Sequence, residues 1–181
     1  MNYRNFIAAL FLLILASCSN KLPNPNDVKI LQDDQKKPLV IPQNASNDYK
    51  TKPSFAKAFD LIQKMETLQK SFDLKYIDFY AQNAYIQNSR KYPDGRVRIM
   101  QISPQYLRKL AKESIDTIKD RKDYSSYSDL VFASEGKHVR VAAKRFSNFK
   151  KYTSPISWLI GLDKASQKWQ ILEEISESKP F

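Results

Sequence analysis

The chain has few of the residues from which most familiar sites are built. Its 181 residues include one cysteine (Cys18), one histidine (His138) and three glycines (Gly95, Gly136 and Gly161). A single cysteine excludes an intrachain disulfide and a thiolate metal cluster. A single histidine excludes a multi-histidine zinc site, so no metal centre is expected. Three scattered glycines leave no glycine-rich phosphate loop and no G-x-S-x-G nucleophile turn, and no cofactor is expected. Negative charge is scarce as well: 30 Lys and Arg stand against 19 Asp and Glu, a net +11. The apolar run Phe6 to Leu15 is half the roughly 20 residues that span a bilayer.

What is present begins with an address. Met1 to Asn5 carries one positive charge, Phe6 to Leu15 is apolar, and Leu15-Ala16-Ser17-Cys18 closes with small residues before the cysteine. This is the pattern of a secretory signal peptide over residues 1–17. Its end resembles the lipobox of bacterial lipoproteins. The resemblance implies removal of residues 1–17, acylation (palmitate) of Cys18, and attachment to a membrane through that lipid. Ser19, where an aspartate marks inner-membrane retention in enteric bacteria, implies an outer-membrane anchor facing the periplasm. Loss of Arg4 then leaves 29 basic and 19 acidic side chains, net +10. Such a surplus attracts polyanions. In that compartment nucleic acid is disfavoured, and an anionic envelope component or an envelope protein complex is the expected partner.

Residues 18–53 read as a lipidated, largely disordered tether. Pro23, Pro25, Pro38, Pro42 and Pro53 lie among Asn, Asp, Lys and Gln, and such a segment buries too little apolar surface to order itself. Leu39-Val40-Ile41 is the apolar exception and a candidate edge strand. From Ser54, a potential cap, apolar residues Phe55, Ala58, Phe59, Ile62, Met65 and Phe72 recur at helical spacing. A second short helix is expected over Leu74 to Gln82 and a strand over Ala84 to Tyr92. Pro93-Asp94-Gly95 is a turn leading to a strand over Arg96 to Ile102. Ser103-Pro104 starts a third helix. Strands follow over 129–134, 138–147, 154–162 and 168–176, with links short enough for antiparallel meandering.

This is an α+β layout, with three N-terminal helices packed on a curved, mainly antiparallel sheet. Residues 54–178 resemble the nuclear-transport-factor-2-like superfamily, which includes the SnoaL-like proteins. The resemblance rests on the passage Phe72 to Ala84, on Pro93-Asp94-Gly95, on Glu135-Gly136-Lys137-His138-Val139, and on the closing Lys168-Trp169-Gln170-Ile171-Leu172-Glu173. It implies a cone-like sheet whose open end holds a pocket, begun here by Tyr76, Tyr80 and Tyr85, with Trp158 on a later strand. It also implies sheets that can pair face to face, so Trp158 with Ile156 and Ile160 is either core or a homodimer interface. By analogy with catalytic relatives, Asp78 and His138 are the candidate acid–base residues and Tyr80 a candidate oxyanion donor. The alternative for each is packing or solvation without a catalytic role.

The basic residues suggest binding. Lys137, Arg140, Lys144, Arg145, Lys150 and Lys151 share one hairpin with Phe146, Phe149 and Tyr152, while Arg90, Lys91, Arg96 and Arg98 crowd the first. Cations beside aromatic tips suit an anionic membrane surface or stacked rings; the alternative is a solvated face that keeps the protein soluble. The leading expectation is a non-catalytic, lipid-anchored periplasmic binding module. The rival is a cofactor-independent dehydratase or isomerase using the cone.

Overall fold

A computed structural model of the chain describes residues 28–179. The expected signal segment 1–17, the lipidation residue Cys18 and the start of the tether lie outside the described residues. In chain order the elements are β1 (Val28–Leu31), α1 (Pro53–Lys70), β2 (Tyr80–Lys91), β3 (Val97–Ile102), α2 (Pro104–Asp120), β4 (Ser125–Glu135), β5 (His138–Ser147), β6 (Tyr152–Leu162) and β7 (Trp169–Ser178).

Local chemistry sets most of these boundaries. Pro53 presets the helical φ at the first position of α1, so Ser54 falls inside the helix and Lys52 takes the capping place. Ser103 caps α2, its Oγ accepting from the Tyr106 N–H at 3.1 Å. Gly95 supplies a positive φ of 85° in the β2–β3 turn, where the Tyr92 N–H donates to the Arg96 carbonyl at 2.8 Å. The expected second helix is shorter than its pattern suggested. Leu74–Phe79 is a 3₁₀ segment, and Tyr80, Ala81 and Gln82 already belong to β2. The three expected N-terminal helices are therefore two α-helices and this 3₁₀ turn, with β2 and β3 intervening before α2.

The strands form one mixed seven-stranded sheet in the order β1-β3-β2-β7-β6-β5-β4. All neighbouring pairs are antiparallel except β2 and β7, which run parallel. Both α-helices pack on one face. There Phe55, Ile62 and Met65 of α1 and Leu107 and Leu110 of α2 meet Ile86, Phe132, Val141, Trp158, Ile160 and Ile171 of the sheet. Trp158 is fully buried in this core, which decides between core and interface.

The opposite face is covered by the segment expected to be a loose tether. β1 pairs with β3 at one edge of the sheet, and the chain then crosses to the other edge. On the way the Lys37 N–H donates to Gln87 Oε1 at 3.0 Å, and Gln87 Nε2 donates back to the Lys37 carbonyl at 2.9 Å. Lys37 Nζ pairs with Glu173 of β7 at 2.5 Å. At the far edge Ser46 and Phe132 of β4 exchange N–H···O bonds of 2.8 and 2.7 Å. Tyr49 then stacks on Phe59 of α1, ring centroids 3.9 Å apart. Six strand spacings of about 4.8 Å separate the two edges, a distance residues 32–45 cover easily at about 3.3 Å each. The folded unit thus includes residues 28–53. The composition argument failed here because hydrogen bonds to a sheet edge and to the Gln87 amide order a segment with little apolar surface. The edge strand is Val28–Leu31, not Leu39-Val40-Ile41, of which Ile41 is exposed.

Candidate functional site

Three side chains from neighbouring strands converge beneath the helices. Register puts Trp158 of β6 opposite Glu174 of β7, and Glu174 beside Ile86 of β2. Glu174 Oε2 accepts a hydrogen bond from Trp158 Nε1 at 2.9 Å and another from the Tyr80 hydroxyl. Tyr127 of β4 packs edge-on to Trp158, with centroids 5.0 Å apart, and donates its hydroxyl to Gln69 Oε1 at 3.1 Å. Tyr76 joins them from the 3₁₀ segment. Burial, followed by the Glu174 charge, pushes all three phenols up, so Tyr76, Tyr80 and Tyr127 stay protonated at neutral pH. Together with Arg145 these residues line a cavity of about 50 Å³. A water's share of liquid volume is about 30 Å³. The interior therefore has room for one or two waters, held by phenol donors and a carboxylate acceptor.

The sequence reading missed Glu174. From Trp169 and Ile171, a period of two points Glu173 inward and Glu174 outward. A bulge reverses this: Ile160 pairs with Ile171, whereas Leu159 pairs with Glu173. The two consecutive glutamates were the available signal, since one of them must face the helices.

The other candidates do not join this constellation. Tyr85 lies on the opposite face, where its hydroxyl donates to Gln87 Oε1 at 2.7 Å and its ring sits 4.2 Å from the Lys37 ammonium. Asp78 is exposed and pairs with Arg108 Nη1 at 2.6 Å. The pair lines an open polar cleft of about 490 Å³ with Gln82, Gln105, Asp163, Ser166 and Gln170. His138 sits on the outer face against Gly161, where an added Cβ would come within 2.3 Å of its Cδ2. Asp78 and His138 share no cavity, so the acid–base pairing lacks its geometry. Among the described residues no group of three His, Cys, Asp or Glu side chains is placed to hold a metal ion.

The basic hairpin does not present one cationic face. Strand alternation sends Arg140 and Lys144 outward and Arg145 inward. Arg140 is buried; its Nε and Nη2 donate to Glu135 at 2.8 and 3.1 Å, and its Nη1 donates to Glu173 at 2.7 Å. The Arg140 hydrogen bonds hold the Glu135 carboxyl below its ordinary range. Burial opposes ionisation of Glu173, but hydrogen bonds from Lys37 and Arg140 outweigh it and hold that carboxyl low too. Lys144 pairs with Asp129 at 2.8 Å, and Arg96 with Asp94 of its own turn at 2.7 Å. Arg145 Nη2 donates to the Glu177 carbonyl at 3.1 Å. Phe149 lies under the Arg121 guanidinium, 5.3 Å away, and Lys151 Nζ reaches Asn148 Oδ1 at 3.2 Å. Desolvation, with Arg90 nearby, pushes Lys150 down to about 7. Lys137 and Arg98 are exposed.

No family model and no curated protein matches the chain. Solved structures do resemble it. A nuclear-transport-factor-2-like protein of unknown function from Pseudomonas putida KT2440 is 8% identical over 67% of this chain and 84% of its own, with a TM-score of 0.51. A similar protein from Shewanella oneidensis MR-1 is 16% identical over 67% of this chain and 97% of its own, TM-score 0.47. A protein of cystatin-like fold from Nostoc punctiforme PCC 73102 is 12% identical over 69% and 90%, TM-score 0.48. Identity this low shows the fold alone, and the Pseudomonas putida structure carries it: the domain is α+β with a nuclear-transport-factor-2-like fold.

Proposed function

We propose that the chain is a lipid-anchored interaction module of the bacterial envelope, held by an acylated Cys18 and facing the periplasm from the outer membrane. It binds an envelope component without transforming it. The observation that carries the non-catalytic part is the filled interior. About 50 Å³ is left around Glu174, whereas small-ligand pockets start at about 300 Å³. The anchor is supported by the likeness of Leu15-Ala16-Ser17-Cys18 to a lipobox. The partner, an anionic envelope component or an envelope protein complex, meets the polar cleft and the remaining cations. A second copy pairing through the outer face would first have to displace residues 32–45.

Labelling of cells with an alkyne palmitate tests the anchor. The full chain takes the label and sediments with outer membranes, and Cys18→Ala loses both. Label retained by Cys18→Ala would contradict the proposal. A second reading, a cofactor-independent isomerase or dehydratase, is favoured by the convergence of Glu174 with Tyr76, Tyr80 and Tyr127. It requires the interior to widen several-fold, and the absence of millisecond exchange at the Trp158 indole in relaxation-dispersion NMR would count against it.

A further inference from the structure

Because Val28–Leu31 is fixed to the sheet, the folded domain begins close to the anchor residue. Nine residues, 19–27, lie between Cys18 and Val28, where a tether running to residue 53 was expected. Ten Cα-to-Cα steps of about 3.6 Å at most put Val28 within about 36 Å of Cys18. Val28 opens β1, the outermost strand on one side of the sheet, and β4 is outermost on the other. Six spacings of about 4.8 Å hold these edges about 29 Å apart. If the β4 edge lay on a membrane that held Cys18, residues 19–27 would have to be drawn out to about four-fifths of their limit. Such extension costs most of a segment's conformational freedom. With the β1 edge on the membrane no extension is needed.

That edge also carries exposed apolar surface. Ile30 of β1 is 52% exposed, and Val97, which opens β3, is 42% exposed. Val28 packs against the core beneath the helices, so Ile30, two positions on, points to the helix side. Val97 is aligned with Lys91, four positions beyond Gln87, and so points to the outer side where Gln87 meets Lys37. The two side chains therefore straddle the edge. Lys29 and Arg98, both exposed, adjoin them in sequence. Asp33 and Asp34, in the turn after β1, balance these two cations, so net charge does not select the partner; the short reach and the apolar pair do. An exposed apolar edge strand is a liability in water. We propose that the β1–β3 edge rests on the bilayer that holds the acylated Cys18. Ile30 and Val97 enter the boundary between headgroups and acyl chains, and Lys29 and Arg98 lie among the lipid phosphates, the depths that apolar and basic side chains take at an interface. The sheet stands edge-on, and the β4–β5 turn with exposed Lys137 points into the periplasm. This contact rests on the Cys18 anchor proposed above and adds an orientation to it.

The full chain, acylated in cells and isotopically labelled, is placed in nanodiscs of phosphatidylcholine with phosphatidylglycerol. Lipid carrying a headgroup nitroxide then broadens the amide signals nearest the bilayer. The amides of Lys29 to Leu31, Val97 and Arg98 should be broadened at least about tenfold more than those of Val131 to Ala133 in β4, because the edges lie about 29 Å apart. Ile30→Ser combined with Val97→Ser should weaken the broadening at the β1 edge at least about threefold through lost apolar burial, while the acyl chain keeps the protein on the disc. Equal broadening of the two edges, stronger broadening at β4, or an unchanged map in the double variant overturns the contact. So does a second copy seated on the edge, seen as two chains per disc with the β1 amides shielded from the nitroxide. If the double variant fails to fold, the map of the unaltered chain decides. A palmitate label with equal broadening refutes this contact and leaves the anchored module standing; absence of the label refutes the anchor, and the contact with it.

Discussion

The two faces of the sheet are closed by different means. The helix side is sealed by apolar burial: aromatic and branched side chains fill the interior until about 50 Å³ remains, and the carboxylate of Glu174 accepts from two ring donors. The outer side is sealed by charge and backbone bonds. Residues 32–45 cross it on a Gln87 clamp, and beneath them Glu173 is shared by Lys37 and Arg140. Apolar burial closes a face wherever the pattern supplies a stripe. A face without a stripe needs specific partners, which makes its closure sensitive to pH and to single substitutions.

The largest expected effect comes from the helix side. Trp158→Ala opens a cavity and removes a donor from Glu174, costing about 4 kcal/mol, measured as a lower urea midpoint and largely constant with pH. Arg140→Ala ranks second. It leaves Glu173 buried beside the half-exposed Lys37, and the cost is about 3 kcal/mol at pH 7. That cost depends on pH. The folded pKa values of Glu135 and Glu173 lie below their ordinary value, so the stability they supply is complete above the unfolded value of about 4.3 and is lost as pH falls through the lower folded values. Urea curves of the unaltered chain and Arg140→Ala should therefore converge as pH falls below about 4.3. A constant gap would show that Arg140 acts through packing alone.

Much of the fold was legible because its signals were local. The Pro93-Asp94-Gly95 turn, the Ser103-Pro104 helix start and the strand over His138 to Ser147 each depend on residues within a few positions. The parallel β2–β7 pairing was not legible, since its partners lie some ninety positions apart and no periodicity encodes the choice. The site was less legible than the fold, and bulges are the main reason. At Asp129, with φ of 53°, β4 gains an extra residue. Between Ile171 and Glu173 the alternation in β7 inverts. Tyr76 and Tyr80, expected at a pocket, and Trp158, left open between core and interface, lie in the interior, whereas Tyr85 faces the other side of the sheet and Glu174 was hidden by the inversion. The basic hairpin was misread because a count of cations carries no information about the carboxylates that fold back onto them.

A smaller effect sharpens the role of the lone histidine. Gly161→Ala would crowd the His138 ring and cost about 1 kcal/mol. His138→Ala in the same chain should restore most of it, a coupling measured by a double-mutant cycle. Additive losses would mean that the ring and the glycine are independent.

Native-state hydrogen exchange on the full chain tests most directly whether residues 28–46 are part of the domain and seal its outer face. The amides of Lys37 and Ser46, bonded to Gln87 and Phe132, should be protected to within about tenfold of the β2 amides and should open with the sheet. Exchange at unprotected rates for those two amides, with β2 still protected, would contradict the account and return the segment to a free tether.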